Sequence, residues 1–407
     1  MEIEPSAPLL AAFEQLPAAA PLLPRLGDAD GVHLVGGAVR DLMLRGAPVD
    51  LDFVVDGDLD AVVDRIGAHT VIHDRFGTCT LQLDCFHYDF ARARRETYAR
   101  PGALPTVAPA TVEDDLRRRD FTVNAMALAV GGGNAGTLRA VDHARHDLAQ
   151  KRLRVLHDAS FIDDPTRLLR LARYAARLGF AVEPHTLELT RAALAGGALE
   201  TVSGTRLGSE LRLLASETDP VAGLQELRRL GADEALAPGF GLSDPPLARR
   251  ALELLPPDGD PATLVLAASS LRLAAPELAA LLDRLGFAAA QRGAIVIAAT
   301  NAKPVARALE RARRPSEIAA AVGDRGRPEL VALAGAMGPA DAARQWLHGL
   351  RRVALEIDGN DLLQAGVPAG PAIGDGLRGA LAAKLDGQVV GREAELAEAV
   401  RVATGNG

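Results

Sequence analysis

Val35-Gly36-Gly37-Ala38-Val39-Arg40-Asp41, followed shortly by Asp50-Leu51-Asp52, is the stretch that decides the fold. The apolar run Val32 to Val35 reads as a strand, the glycine pair as a strand-to-helix turn, and Val39 to Leu44 as the helix that leaves it. Backbone amides without side chains at the start of a helix accept phosphate oxygens. Residues i and i+2 of a strand face the same side, so Asp50 and Asp52 present two carboxylates together while Leu51 turns into the core. Such hard oxygen ligands suit divalent cations that bridge a triphosphate, which is what in-line attack on an α-phosphate requires. Either feature alone is weak, because most Gly-Gly pairs only make a bend and Asp-x-Asp recurs by chance on exposed strands. Their joint spacing suggests metal-assisted nucleotidyl transfer. Neither the G-x-G-x-x-G fingerprint nor a Lys-Ser/Thr phosphate loop stands at this turn.

At 407 residues, with 48% hydrophobic and 24% charged residues, the chain has room for two or three domains of ordinary soluble composition. No run reaches the ~18 apolar residues of a membrane span. The amino end carries Glu2 and Glu4 rather than a basic signal start, so the expected location is cytoplasmic, with no membrane partner. Cys79 and Cys85 have no zinc or disulfide spacing and read as two small buried side chains. The formal net charge is −8, yet residues 91–180 hold 16 Arg and Lys against 10 Asp and Glu, a local +6 beside the candidate chemistry. With only three lysines in the chain, phosphate contacts fall to arginine, whose planar fork suits phosphate oxygens.

The first 155 residues mix two periods. Val32 to Val35, Leu51 to Val55, Thr78 to Leu83 and His87 to Ala91 read as strands, with a helix over Leu59 to Ile66, which makes an α+β head. Beyond it the pattern is helical almost throughout, with breaks near Asp158, at Gly239 to Pro246, Pro256 to Pro261, Arg325 to Pro328 and Gly366 to Gly374.

Two further constellations carry chemistry. In Arg117-Arg118-Arg119-Asp120-Phe121-Thr122-Val123-Asn124-Ala125, arginine can hold triphosphate oxygens while Asp accepts from a ribose hydroxyl. In Asp163-Asp164-Pro165-Thr166-Arg167-Leu168-Leu169-Arg170-Leu171-Ala172-Arg173-Tyr174, Pro165 suits the first helical position with Asp164 as its cap. Arg167, Arg170 and Arg173 recur every three residues on one side, leaving Leu168, Leu169 and Ala172 for the core. An Asp and an Arg one turn apart also offer an acceptor and a donor fork to the edge of a base.

These segments, in this order, resemble the class II tRNA nucleotidyltransferases and bacterial poly(A) polymerases of the DNA polymerase β nucleotidyltransferase superfamily. The resemblance covers residues 30 to 215, with Val141-Asp142 through Asp147-Leu148 to Leu153-Arg154 resembling the hinge motif and Gly204-Thr205-Arg206-Leu207-Gly208-Ser209-Glu210-Leu211 a motif of the helical neck. It implies a catalytic head over 1–155, an all-α neck over 156–235, a body over 236–350, and a tRNA-binding tail over 351–407 containing Asp358-Gly359-Asn360-Asp361. It implies that Asp50 and Asp52 hold Mg²⁺, that Gly36, Gly37 and Arg40 contact the triphosphate, and that Arg119 and Asp120, with Asn124 nearby, hold triphosphate and ribose. Asp163, Asp164 and Arg167, with Arg170 one turn on, match the base-reading motif, Asp163 standing where many members have Glu. Asp89 is a candidate third carboxylate, and Arg94 to Asp115 resembles the mobile loop that helps switch specificity. The implied reaction is CCA addition to the tRNA 3′ end from CTP and ATP; CC-only, A-only and poly(A) addition are the alternatives within the family, and a catalytically silent RNA-binding protein is the alternative outside it. His146-Asp147, the one hint of a metal phosphohydrolase, has no partner histidines and falls inside the hinge motif.

Overall fold

The computed structural model describes residues 1–48, 50–67, 69–73, 77–324 and 326–405, so Arg325 of one expected break lies outside the described residues. The chain forms two units, Met1–Leu207 with Arg229–Ala235, and Gly208–Arg228 with Leu236 onward. In the first unit the strands are β1 (Glu2–Pro5), β2 (Val32–Val35), β3 (Leu51–Val55), β4 (His69–His73), β5 (Thr78–Leu83), β6 (Phe86–Arg92), β7 (Arg94–Thr97), β8 (Thr106–Pro109), β9 (Met126–Ala129) and β10 (Thr137–Ala140). Its helices include α1 (Ala7–Glu14), α2 (Leu23–Leu26), α3 (Gly37–Met43), α4 (Leu59–Ile66), α5 (Val112–Arg117), α6 (Ala144–Ala149), α7 (Ser160–Asp163) and α8 (Thr166–Leu178).

The main sheet runs β1-β10-β9-β2-β3-β6-β5-β4, antiparallel except for the parallel β3–β6 pair. β2 and β9 are buried at all four positions, which makes them central strands covered on both faces. β3 is buried at Leu51, Phe53, Val54 and Val55 and opens to solvent at Asp52. Four aromatic residues gather behind it: Phe53 stacks on Phe90 at 4.7 Å between centroids, Phe13 meets its edge at 6.3 Å, and the Tyr88 hydroxyl donates to the Ala18 carbonyl at 2.7 Å. Burying each such ring stabilises the sheet by roughly 2–3 kcal/mol. The register of β3 on β6 sets Asp52 directly beside Asp89.

The α+β head is as read, and three details differ from expectation. Residues 94–115 are an ordered hairpin of β7 and β8 followed by α5, whose start Thr111 caps through Asp114 N, instead of a loop. The unbroken polar run Arg94-Arg95-Glu96-Thr97 of β7 hides the strand period. Cys79 is buried, but Cys85 is exposed because Asp84 and Cys85 form the tight turn joining β5 to β6, Asp84 at φ +54. Regular helix α8 begins at Thr166, one residue beyond Pro165, although the Asp164 carboxylate still caps it, accepting from Thr166 N at 3.1 Å.

The second unit is helical among its described residues. Helices Pro261–Ser269 and Pro328–Ala336 are buried nearly all round, as central helices must be. Towards the carboxyl end Ile357, Leu362, Val367, Ala380 and Ala399 form a separate small core. Gly376 lets helices Pro371–Leu385 and Arg392–Ala403 meet there, since a Cβ would lie 2.5 Å from the Ala399 carbonyl. Asp358 caps the helix Gly359–Gln364, accepting from Asn360 N at 2.8 Å. Among the described residues no helix is long and apolar enough to cross a membrane.

Candidate active site

β3, β5 and β6 form one wall of a groove of about 380 Å³, whose lining includes Asp52, Thr80, Asp89, Arg118 and Arg119. Asp52 projects from β3, and Asp50 stands exposed just before that strand. The Asp52 carboxyl opens to solvent at its tip but lies against the groove walls, and that burial pushes its pKa above the usual carboxylate value. The neighbouring charges of Asp89 and Asp50 raise it further, against the opposing pull of Arg119. Asp89 is steadied by Thr80, whose hydroxyl donates to it at 2.6 Å.

Crowded carboxylates of like charge on a solvent-facing groove are a donor set that a hard divalent cation relieves. Among the described residues no three His, Cys, Asp or Glu side chains converge as a complete metal cage. A hard divalent cation can bind through one or two carboxylates and fill its remaining positions with water and substrate phosphate oxygens.

The arginines opposite are fixed by an acid that sequence reading passed over. Asp115, fully buried on α5, accepts from Arg118 Nε at 2.9 Å and Nη2 at 2.7 Å, and from Arg119 Nη2 at 3.0 Å. Glu96 on β7 takes Arg118 Nη1 at 2.9 Å, Arg94 at 3.2 Å and the Tyr98 hydroxyl at 2.9 Å, which ties the hairpin to the arginine pair. Among the described residues the buried Arg119 Nε has no hydrogen-bond partner, a donor left over beside the groove. Asp115→Ala should therefore lower stability by roughly 3 kcal/mol by leaving two part-buried guanidinium groups under-neutralised. A thermal midpoint equal to wild type would refute the clamp.

Gly36 sits at φ +69, ψ −129, a conformation open in practice only to glycine, and a Cβ there would meet Arg119 Nη1 at 2.8 Å. α3 leaves from it. On that helix Arg40 is 2% exposed; it donates to Asp41 through Nε at 2.8 Å and to Asn124 Oδ1 through Nη1 at 2.6 Å. Asn124 Nδ2 donates to Asp120 Oδ1 at 3.0 Å, which also accepts from Phe121 N at 2.8 Å. Asp120 Oδ2 accepts from Arg170 Nε at 2.9 Å and Nη2 at 2.6 Å. Arg40, Asn124, Asp120 and Arg170 are thus bonded to one another in a chain that is buried up to the part-exposed Arg170.

The third constellation lies in the same unit. Asp164 Oδ1 accepts from the Thr166 hydroxyl at 2.6 Å and from Arg206 Nη2 at 2.8 Å, and Arg206 also donates to the Gly102 carbonyl at 3.2 Å. Arg167, 5% exposed, donates to Ser160 Oγ at 2.7 Å and to the Arg118 carbonyl at 2.6 Å, so the arginine pair of the groove and the Asp163-Asp164 turn are directly joined. Leu168, Leu169 and Ala172 are fully buried as expected, and Arg167 and Arg173 are buried with them. In the segment that resembles a hinge motif Asp147 is wholly buried and accepts from Thr122 Oγ1 and from Arg154 Nε, each at 2.8 Å, while His146 is exposed.

Residues 32–154 match the family described as Poly A polymerase head domain. A CC-adding tRNA nucleotidyltransferase of Deinococcus radiodurans is 36% identical over 361 residues, covering 87% of this chain and 84% of that protein. The chain belongs to the class II tRNA nucleotidyltransferase family. An A-adding tRNA nucleotidyltransferase of Geobacter sulfurreducens is 34% identical over 91% of this chain, which spans 45% of that relative, and the chain spans about half or less of the A-adding relatives it matches. A solved CCA-adding enzyme in an apo form superposes with a TM-score of 0.85 at 27% identity, over 98% of this chain and 99% of that one. Nucleotidyltransferases of this family are generally metal-dependent.

Proposed function

We propose that the protein is a template-independent tRNA nucleotidyltransferase that adds CCA to the tRNA 3′ end from CTP and ATP and releases pyrophosphate. The observation that supports this most is the convergence within one unit of crowded carboxylates, an arginine-lined groove and the Asp164–Arg167 turn that Arg118 joins to it. Asp50 and Asp52 hold Mg²⁺, which when bound neutralises phosphate charge and favours ionisation of the RNA 3′-hydroxyl. Gly36, Gly37 and Arg119 receive the triphosphate, the last through the Nε that has no partner among the described residues. The buried chain of Arg40, Asn124, Asp120 and Arg170 supports the ribose side. Asp163, Asp164 and Arg167 face the base edge. Little covalent chemistry is asked of the side chains; fixed positive charge and orientation lower the barrier. The remainder of the proposed layout is a head over 1–155, a neck over 156–235, a body over 236–350 and a tRNA-gripping tail over 351–407, in a cytoplasmic protein.

The test incubates purified protein with tRNAs ending before C, after C and after CC, with CTP, ATP or both, and sizes the products. Extension of all three to CCA with both nucleotides, abolished by EDTA and restored by Mg²⁺, is the expected result. A second reading is A addition alone, favoured by the likeness to the Geobacter sulfurreducens protein; extension of only the CC-ended tRNA would establish it. No extension of any of them would overturn the proposal.

A further inference from the structure

Tyr174, half-buried on α8, carries three guanidinium groups around one ring. Arg173 lies 4.8 Å from its centroid and Arg40 and Arg170 each 5.7 Å, while the Phe121 ring meets it edge-on at 5.9 Å. Arg40 comes from α3, and the other two from α8 itself. Arg40 and Arg170 are also the cationic ends of the buried run Arg40–Asn124–Asp120–Arg170. Cations gathered within a few ångströms repel unless something negative lies between them. Asp41 and Asp120 each take one, and the negative π face of the tyrosine attracts the guanidiniums that share it. An aliphatic side chain of similar size would fill the space without that attraction.

We propose that Tyr174 is a positioning residue for the incoming nucleotide: its ring holds Arg40 and Arg170 at a fixed separation, and so sets α3, which leaves the Gly36-Gly37 turn, against α8, which Asp164 caps. The inference rests on the function proposed above, because the two helices matter together only if one nucleotide spans them. Loss of the ring loosens nucleotide binding and leaves the metal carboxylates on β3 untouched. A purely structural residue behaves differently, since its loss lowers the folded fraction and hence apparent kcat, with KM unchanged.

The experiment measures ATP KM and kcat on a CC-ended tRNA for wild type, Y174F and Y174L, with ATP Kd by equilibrium titration in parallel. Y174L should raise KM and Kd about tenfold, the scale of one well-placed cation–π contact set, with a much smaller change in kcat, and Y174F should restore both to within about twofold of wild type. Y174M serves the same comparison where Y174L does not fold. Wild-type KM and Kd in either aliphatic variant, or an equal loss in Y174F, would overturn the inference. Wild type that binds ATP but extends no tRNA counts against the proposed activity alone, because the Kd comparison still decides the role of the ring; wild type that binds no ATP overturns both.

Discussion

Asp52→Ala is expected to reduce nucleotide incorporation at least about a thousandfold, or about 4 kcal/mol of barrier, with the thermal midpoint of the metal-free protein unchanged or raised. Removing a buried acid usually weakens a fold, and the reason it does not here lies in the direction of the pKa shift. Burial, then Asp89 and Asp50, raise the Asp52 pKa above its unfolded value. An acid so shifted contributes stability below its unfolded pKa and loses it as pH rises through the folded value, so at neutral pH the ionised group is a net burden. The side chain is therefore kept for what it binds. Adding Mg²⁺ should raise the midpoint of wild type by mass action and leave that of the variant where it was. Incorporation by the variant within about tenfold of wild type, or an equal Mg²⁺ response in both proteins, would sink the assignment.

How much of this was legible in the sequence follows from how local each feature is. β2, β3, β5 and α4 sit on the residues read for them because their signals are short range: an apolar run ended by glycines, a period of two, a helical period over Leu59 to Ile66. β9 carries no alternation, being buried on both faces, and β7 is polar on both, so neither period shows; β8, with a single polar residue and a terminal proline, shows none either. The partners of the charged residues were the least legible. The resemblance implies Arg40 at the triphosphate, and the structure adds a partner that spacing does not show, Asn124, 84 positions away. Spacing reveals that an arginine is available, not whether a carboxylate or amide of the same protein already holds it. Glu96, Arg206 and Tyr174 each act on a segment distant in sequence, whereas Asp115 meets Arg118 and Arg119 three and four residues on, a helical spacing that could have found it.

Arg170→Met should cost more stability than any other single change at the site, roughly 3–5 kcal/mol, because it strands a buried anion. Asp120 is 7% exposed, and burial alone would drive its pKa up. The charge of Arg170, hydrogen bonds from Asn124 and Arg170, and the charge of Arg167 outweigh burial and bring it down to about 2. A carboxyl depressed in the folded state stabilises above its unfolded pKa and loses that contribution as pH falls through the folded value, here between about 4 and 2; at neutral pH it is worth about 2 kcal/mol. Wild type should accordingly show no response from this group between pH 7 and 5. In the variant burial prevails, the folded pKa rises above the unfolded one, and the sign reverses, so the thermal midpoint should climb as pH is lowered from 7 to 5. Asp120→Asn in the Arg170→Met background removes the stranded charge and keeps the amide bond from Phe121, and should recover much of the loss as a positive coupling in the double-mutant cycle. A single variant as stable as wild type, or a double variant no better than the single, would mean that Asp120 is held by something other than Arg170.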